Sequence, residues 1–125
     1  MAHVHETALR NAIGNAVITA IDNGASAGKL VFETSADASV ATITFNATCG
    51  TVATGVVTFS GLPKSDTSAT AGVIEHASFY DGDTTPLKLL EVTCGVTGQE
   101  INLSSLTIAN GDVVKLNSLT YTTPA

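Results

Sequence analysis

The sequence predicts a mainly β protein, a jelly-roll-type β-sandwich of about eight short strands with one N-terminal α-helix. Three observations carry this. Apolar residues recur at helical spacing only in ETALRNAIGNAVITAIDNG, Glu6 to Gly24. From Lys29 onward the hydrophobic period falls to two. Turn-forming residues then punctuate the chain about every 8–12 residues, as in sandwiches and small barrels. No internal repeat or composition shift divides the chain, so residues 1–125 are predicted as one domain.

The helix is predicted over about residues 6–22. Leu9, Ile13, Val17 and Ile21 fall four apart, with Ala12, Ala16 and Ala20 alongside, and they form one apolar stripe. Arg10, Asn11, Asn15 and Thr19 lie off it, and Gly14 weakens the middle by about 1 kcal/mol. Asp22–Asn23–Gly24 is a suitable stop, because Asn and Gly accept the left-handed cap. Two roles fit an amphipathic helix on a sandwich. It covers an open edge or end between the sheets, or its stripe docks on a partner.

Strands are predicted at KLVFET (Lys29–Thr34) and VATITFNA (Val40–Ala47), joined by a turn at SADAS. In the second, Ala41, Ile43, Phe45 and Ala47 alternate with Thr42, Thr44 and Asn46. GVVTFSG (Gly55–Gly61) follows, then LPKSDTSATA as a polar loop. GVIEHASFYD (Gly72–Asp81) and LKLLEVTCG (Leu87–Gly95) read as a hairpin closed by DGDTTP. Two short extended pieces lie around Asn102 and Thr107. A last strand, DVVKLNSLTYTTP, changes parity near Asn117 and Ser118, which predicts a bulge or bend there.

Charged residues make up only 13% of the chain, and 19 of its residues are threonine, a β-branched polar type suited to the outer face of a sheet. The net charge is −6, and the five basic residues, Arg10, Lys29, Lys64, Lys88 and Lys115, stand singly. Duplex nucleic acid requires a basic patch, so that class of partner is excluded. No apolar run approaches the length of a membrane span. MAHVHETALR has no basic-then-apolar start, so no secretory leader is predicted and the chain is expected to be made in a cytoplasm and to stay intact. In that compartment Cys49 and Cys94 are expected as two small buried hydrophobes rather than a disulfide.

Each chemical candidate has a plainer counterpart. His3 and His5 form an H-x-H pair that suits a metal on a strand, but the plainer reading is a frayed tail. His76 follows Glu75 in a predicted strand, where neighbours face opposite ways, so the two are not expected to act together and His76 is expected on an exposed polar face. DGDTT, Asp81–Thr85, resembles the start of a calcium loop, but the twelfth residue is Val92 where a Glu is needed. Asp81 and Asp83, with Asp37, remain candidates for a weak Ca²⁺ site against ordinary turn chemistry. No G-x-S-x-G occurs, Cys94 has no evident partner, and no Trp is available for sugar stacking. No enzymatic activity and no cofactor are expected.

ALRNAIGNAVITAIDNGASAGKLVF resembles the LRNA…A…DAG…G.L.IY opening of small virion proteins of tailed bacteriophages. INLSSLTIANGDVVKLNSLTYTTPA resembles their LNLNS..I..G..V.V.S.TYT.PA ending. The matches are Leu9–Ala12, Asp22, Gly24, Gly28 and Leu30 at one end. At the other they are Asn102–Ser104, Ile108, Gly111, Val113, Ser118, Thr120–Thr122, Pro124 and Ala125. The middle matches by spacing and by GVVTFSGL alone, and FETSAD stands where members of the group carry YTG or YDG. The resemblance implies a structural virion component assembled in the host cytoplasm. The expected role is that of a head decoration (cement) protein that binds the major capsid protein and itself, as a trimer. Leu9, Ile13, Val17 and Tyr121 are the expected partner-binding residues. A tail-fibre receptor- or carbohydrate-binding module, and a head–tail joining or tail-tube subunit, are the alternatives.

Overall fold

The computed structural model describes residues 5–98, 101–103 and 105–123. The architecture is mainly β, with one helix, α1 (Thr7–Ile21). Twelve strands follow among the described residues: β1 (Lys29–Glu33), β2 (Ser39–Thr44), β3 (Gly50–Ala53), β4 (Val56–Phe59), β5 (Lys64–Asp66), β6 (Gly72–Val73), β7 (His76–Tyr80), β8 (Lys88–Gly95), β9 (Ile101–Asn102), β10 (Thr107–Ile108), β11 (Val114–Leu116) and β12 (Thr120–Thr122). The largest sheet has the order β2-β1-β7-β8-β9, and a second has the order β12-β4-β3. Two short pairs, β10-β6 and β11-β5, complete the set. The pairings are antiparallel except β8 with β9, where Cys94 and Gly95 run beside Ile101 and Asn102.

The core lies between the two larger sheets. Phe79 of β7, Phe59 of β4 and Phe45, just past β2, pack with ring centroids 4.9–6.1 Å apart. Leu30, Phe32, Ile43, Ala77 and Val57 close around them and are almost wholly buried. Strand alternation explains the selection. Leu30 pairs with Phe79 and Phe32 with Ala77 on the inner face, while Val31, Glu33, His76 and Ser78 fall on the outer face.

Several sequence expectations are corrected. The predicted strand Gly72–Asp81 is two, β6 and β7, because Ile74 and Glu75 leave the ladder; the Ile74 N–H bonds the carbonyl of Leu106. The predicted last strand is also two. β11 pairs with β5 and β12 with β4, and the chain passes from one ladder to the other at residues 117–119. Lys64–Asp66 lies in a segment expected to be loop, yet it is β5. Gly50–Ala53 was not expected as a strand and forms the β3–β4 hairpin. Its turn residues Thr54 and Gly55 have φ of 50° and 74°, the pattern of a type I′ turn. Ala47, expected on the inner face, is exposed because β2 ends at Thr44.

The helix is where expected but rotated. Its inward line runs through Arg10, Gly14, Ile18 and Ile21, and of these only Ile21 belongs to the apolar stripe. Gly14 is the point of closest approach to the β3–β4 hairpin. A Cβ there would lie 2.5 Å from Cγ2 of Val52 and 3.1 Å from Cγ2 of Val57. Polar bonds fix this placement. Asn11 Oδ1 accepts the Gly55 N–H at 2.8 Å, and Arg10 Nε donates to Thr123 Oγ1 at 3.3 Å. Thr123 in turn donates its N–H and hydroxyl to the Gly55 carbonyl. The first three members of the stripe turn off the contact, with Leu9 50% exposed and Ile13 and Val17 half-buried, while Ile21 at its end is buried in the core.

At an open helix position Gly→Ala stabilises by about 1 kcal/mol. At Gly14 the overpacking against Val52 is larger, so Gly14→Ala is expected to destabilise by about 1 kcal/mol net. Urea denaturation checks this, and a gain in stability contradicts the close approach.

Candidate functional site

The outward-turned stripe forms one wall of an apolar groove of about 360 Å³. Ile13, Ala16, Val17 and Ala20 of α1 face Leu89 and Leu90 of β8 and Tyr121 of β12, over a floor of Ile21 and Phe79. The presence of both leucines follows from a β-bulge. Phe79 pairs with Leu90 and Tyr80 with Lys88, so Leu89 is an extra residue in β8. Regular alternation would send Leu89 and Leu90 to opposite faces; the bulge brings both to the groove.

A second depression, lined by Leu90, Glu91, Val92, Thr93, Tyr121 and Thr122, adjoins the first through Leu90 and Tyr121. Here the edges of the two larger sheets face each other. Among the described residues, Lys88–Thr93 pairs only with β7, and β12 pairs only with β4. The result is an apolar trough bounded by two open strand edges, a surface suited to taking up chain from another molecule. Of the residues expected to bind partners, Ile13, Val17 and Tyr121 line this trough, and Leu9 lies exposed on the same helix.

On the outer face of the large sheet lies a polar cluster. The chain has 16 acidic and basic residues, and five of them, Glu33, Asp37, Glu75, Lys88 and Glu91, gather around His76. The register places Glu33 opposite His76, which in turn faces Thr93 of β8. Asp37 arrives from the β1–β2 turn, where its φ is 63°, a conformation Asp tolerates. Glu33 is buried, and its carboxylate accepts the hydroxyls of Ser78 and, at 2.9 Å, Tyr80, with Lys88 Nζ 3.3 Å away. Burial alone would raise its pKa; the two hydroxyls and the ammonium outweigh that and hold it below the ordinary value. For His76, burial pulls the pKa down, but Glu33, Glu91 and Glu75 together hold it above the usual imidazole value.

Two expectations about His76 are thereby corrected. Its side chain is 12% exposed rather than displayed on an open polar face. Glu75 also reaches it, with Oε1 3.5 Å from Nδ1. The alternation rule fails here because β7 begins at His76, so Glu75 lies outside the ladder.

The calcium candidates do not come together. Asp81 Oδ1 accepts the Leu87 N–H at 2.9 Å and the Asp83 N–H at 3.3 Å, and Oδ2 accepts Asn23 Nδ2 at 3.3 Å. The carboxylate thus ties the β7–β8 turn to the exit of α1, helped by the Gly82 N–H on the Asn23 carbonyl. Asp83 turns to the Thr84 N–H, and Asp37 stands in the His76 cluster. His3 of the H-x-H pair lies outside the described residues. Cys49 and Cys94 are free and buried. Burial, with the Asp22 carboxylate, pushes the Cys49 thiol up to about 12, and burial pushes Cys94 up to about 12. Both are therefore protonated thiols at neutral pH. No described helix is long and apolar enough to cross a membrane. No family model, curated protein or solved structure matches the chain.

The hydrogen bond from Leu87, with those from Asn23 and Asp83, holds the Asp81 carboxyl below its ordinary pKa. A depressed carboxyl contributes stability that is present above its unfolded-state value, roughly pH 4, and lost as pH falls through the folded-state value. Asp81→Ala is therefore expected to be less stable than the unchanged chain at pH 7, with the deficit shrinking in more acidic solution. Urea denaturation at neutral and acid pH checks this, and an equal deficit at both contradicts it.

Proposed function

We propose that this chain is a non-enzymatic structural subunit of a tailed-phage particle, a head decoration protein that self-associates and binds the major capsid protein. The observation that carries the proposal is the apolar trough between α1, β8 and β12. Exposed apolar lining beside open strand edges costs solubility in a lone subunit and favours association with a neighbour. The charge-poor, threonine-rich composition supports the reading, since a surface with few charges is easily desolvated at an interface. So does the place of the two ends that carry the phage-protein resemblance. Arg10 reaches Thr123, and Ile13 and Tyr121 line the same groove.

The occupant of the trough in this reading is a second copy of the chain, and closure around a three-fold axis gives a trimer. The finer reading of the fold is a jelly-roll-type sandwich, supported by two facing sheets with the phenylalanine cluster between them. The mechanism is multivalent. Each subunit adds modest contacts, and the oligomer bridges several capsid subunits at once, which stabilises the shell.

Sedimentation of the full chain and co-sedimentation with expanded capsids of its parent phage test this. An oligomer is expected at micromolar concentration, bound to the shell. Ile13→Asp, at a half-buried position, is expected to weaken self-association about 30-fold, the effect of a central interface residue. Its circular dichroism and melting curve are expected to remain those of a folded protein. A monomer that ignores capsids, or an Ile13→Asp variant that assembles unchanged, overturns the reading.

A further inference from the structure

The His76 cluster presents a geometry that salt bridges alone do not explain. Nε2 lies 3.0 Å from Glu33 Oε1, 3.0 Å from Asp37 Oδ1 and 3.7 Å from Glu91 Oε1. One ring nitrogen carries one proton or one lone pair, so it can bond one of these oxygens well and not three. Around a tetrahedral zinc ion, with bonds of about 2.0–2.2 Å, neighbouring ligand atoms sit about 3.3 Å apart. The separations around Nε2 are of that size. Glu33, Asp37 and His76 each offer one ligand atom, all within 4.8 Å of one another.

The surroundings match what a metal-binding imidazole requires. Glu75 sits at Nδ1, where a carboxylate fixes the tautomer that leaves the Nε2 lone pair free for an ion. The Glu33 carboxylate is held in place by two hydroxyls: Ser78 donates to Oε1, the oxygen that faces His76, and Tyr80 donates to Oε2. Glu33 is buried and His76 half-buried on adjacent strands, while Asp37 is 60% exposed, so an ion can enter from solvent without opening the core. The nitrogen ligand selects against hard Ca²⁺ and Mg²⁺ and for the zinc class.

We propose that Glu33, Asp37 and His76, with water in the fourth position, form a binding site for a divalent transition-metal ion of the Zn²⁺ type. The ion staples the β1–β2 turn to β1 and β7. Without it, Lys88 supplies the compensating charge: Nζ is 3.3 Å from Glu33, 3.6 Å from Glu91 and 3.9 Å from Asp37. Lys88 is one-third exposed on a flexible stem, so it can swing aside as the ion enters. The site stands independently of the assembly role proposed above.

The test uses the full chain stripped by a chelator. ZnCl₂ is titrated by calorimetry, Zn²⁺ is added in thermal melts, and Co²⁺ is added as a spectroscopic probe. The expected result is one Zn²⁺ per chain, a raised melting temperature and the visible bands of four-coordinate Co²⁺. Asp37→Asn, at an exposed position, and His76→Gln are each expected to weaken binding by about tenfold or more. Lys88→Gln, which removes the competing cation, is expected to tighten it. Removal of both tail histidines, His3→Ala with His5→Ala, is expected to leave it unchanged. Absence of binding at millimolar Zn²⁺ in both the unchanged chain and Lys88→Gln overturns the proposal. So does binding that survives His76→Gln but is lost with the tail histidines.

Discussion

Helix α1 rests on the β3–β4 hairpin because residue 14 carries no side chain. That contact decides what the rest of the molecule shows to its surroundings. With Gly14 against Val52, Arg10 comes within reach of Thr123 and Asn11 within reach of the Gly55 N–H. The same rotation removes Leu9, Ile13 and Val17 from the centre of the contact and sets Ile13 and Val17 along the groove. A helix seated on its own apolar stripe would bury those residues and leave no apolar wall opposite Leu89, Leu90 and Tyr121. The apolar groove is thus a consequence of the packing constraint rather than a separate addition to the fold.

Strand β8 links the two notable surfaces. Leu90 turns inward to the groove, and its neighbour Glu91 turns outward to the His76 cluster. The bulge at Leu89 brings Lys88 beside Glu33 as well as Leu89 into the groove. Lys88 of β8 bridges Glu33 and Glu91 in the outer cluster, on the same strand that forms one wall of the trough. Cluster and groove are therefore mechanically adjacent, although one is ionic and the other apolar. The remainder of the surface, rich in threonine and poor in charge, offers no comparable concentration of chemistry among the described residues.

Much of this was legible in the sequence where local rules decide. The alternation in VATITFNA gave Ala41, Ile43 and Phe45 as core, and the four-residue spacing gave the helix. Ile13 and Val17, on the apolar stripe, and Tyr121 share one apolar groove. What escaped depends on distant contacts. The turn at Thr54 and Gly55 lacks an Asn-Gly or Asp-Gly signal and is held by Asn11 and Thr123, 44 and 68 residues from Gly55. Leu89 was missed because a bulge defeats the alternation rule. The ionic cluster was missed because Glu33 and His76 are 43 residues apart and meet only through the β1–β7 register. No local motif signals such a pair; only the pairing of FETSAD with VIEHAS would have revealed it.

Hydrogen–deuterium exchange tests the central claim most directly, by comparing the full chain in its assembled form with the chain diluted to monomer. The account requires new protection along α1 from Ile13 to Ala20, along β8 from Leu89 to Thr93, and at Tyr121 and Thr122. Protection that appears elsewhere, with those three segments exchanging as fast in the assembly as in the monomer, would contradict it.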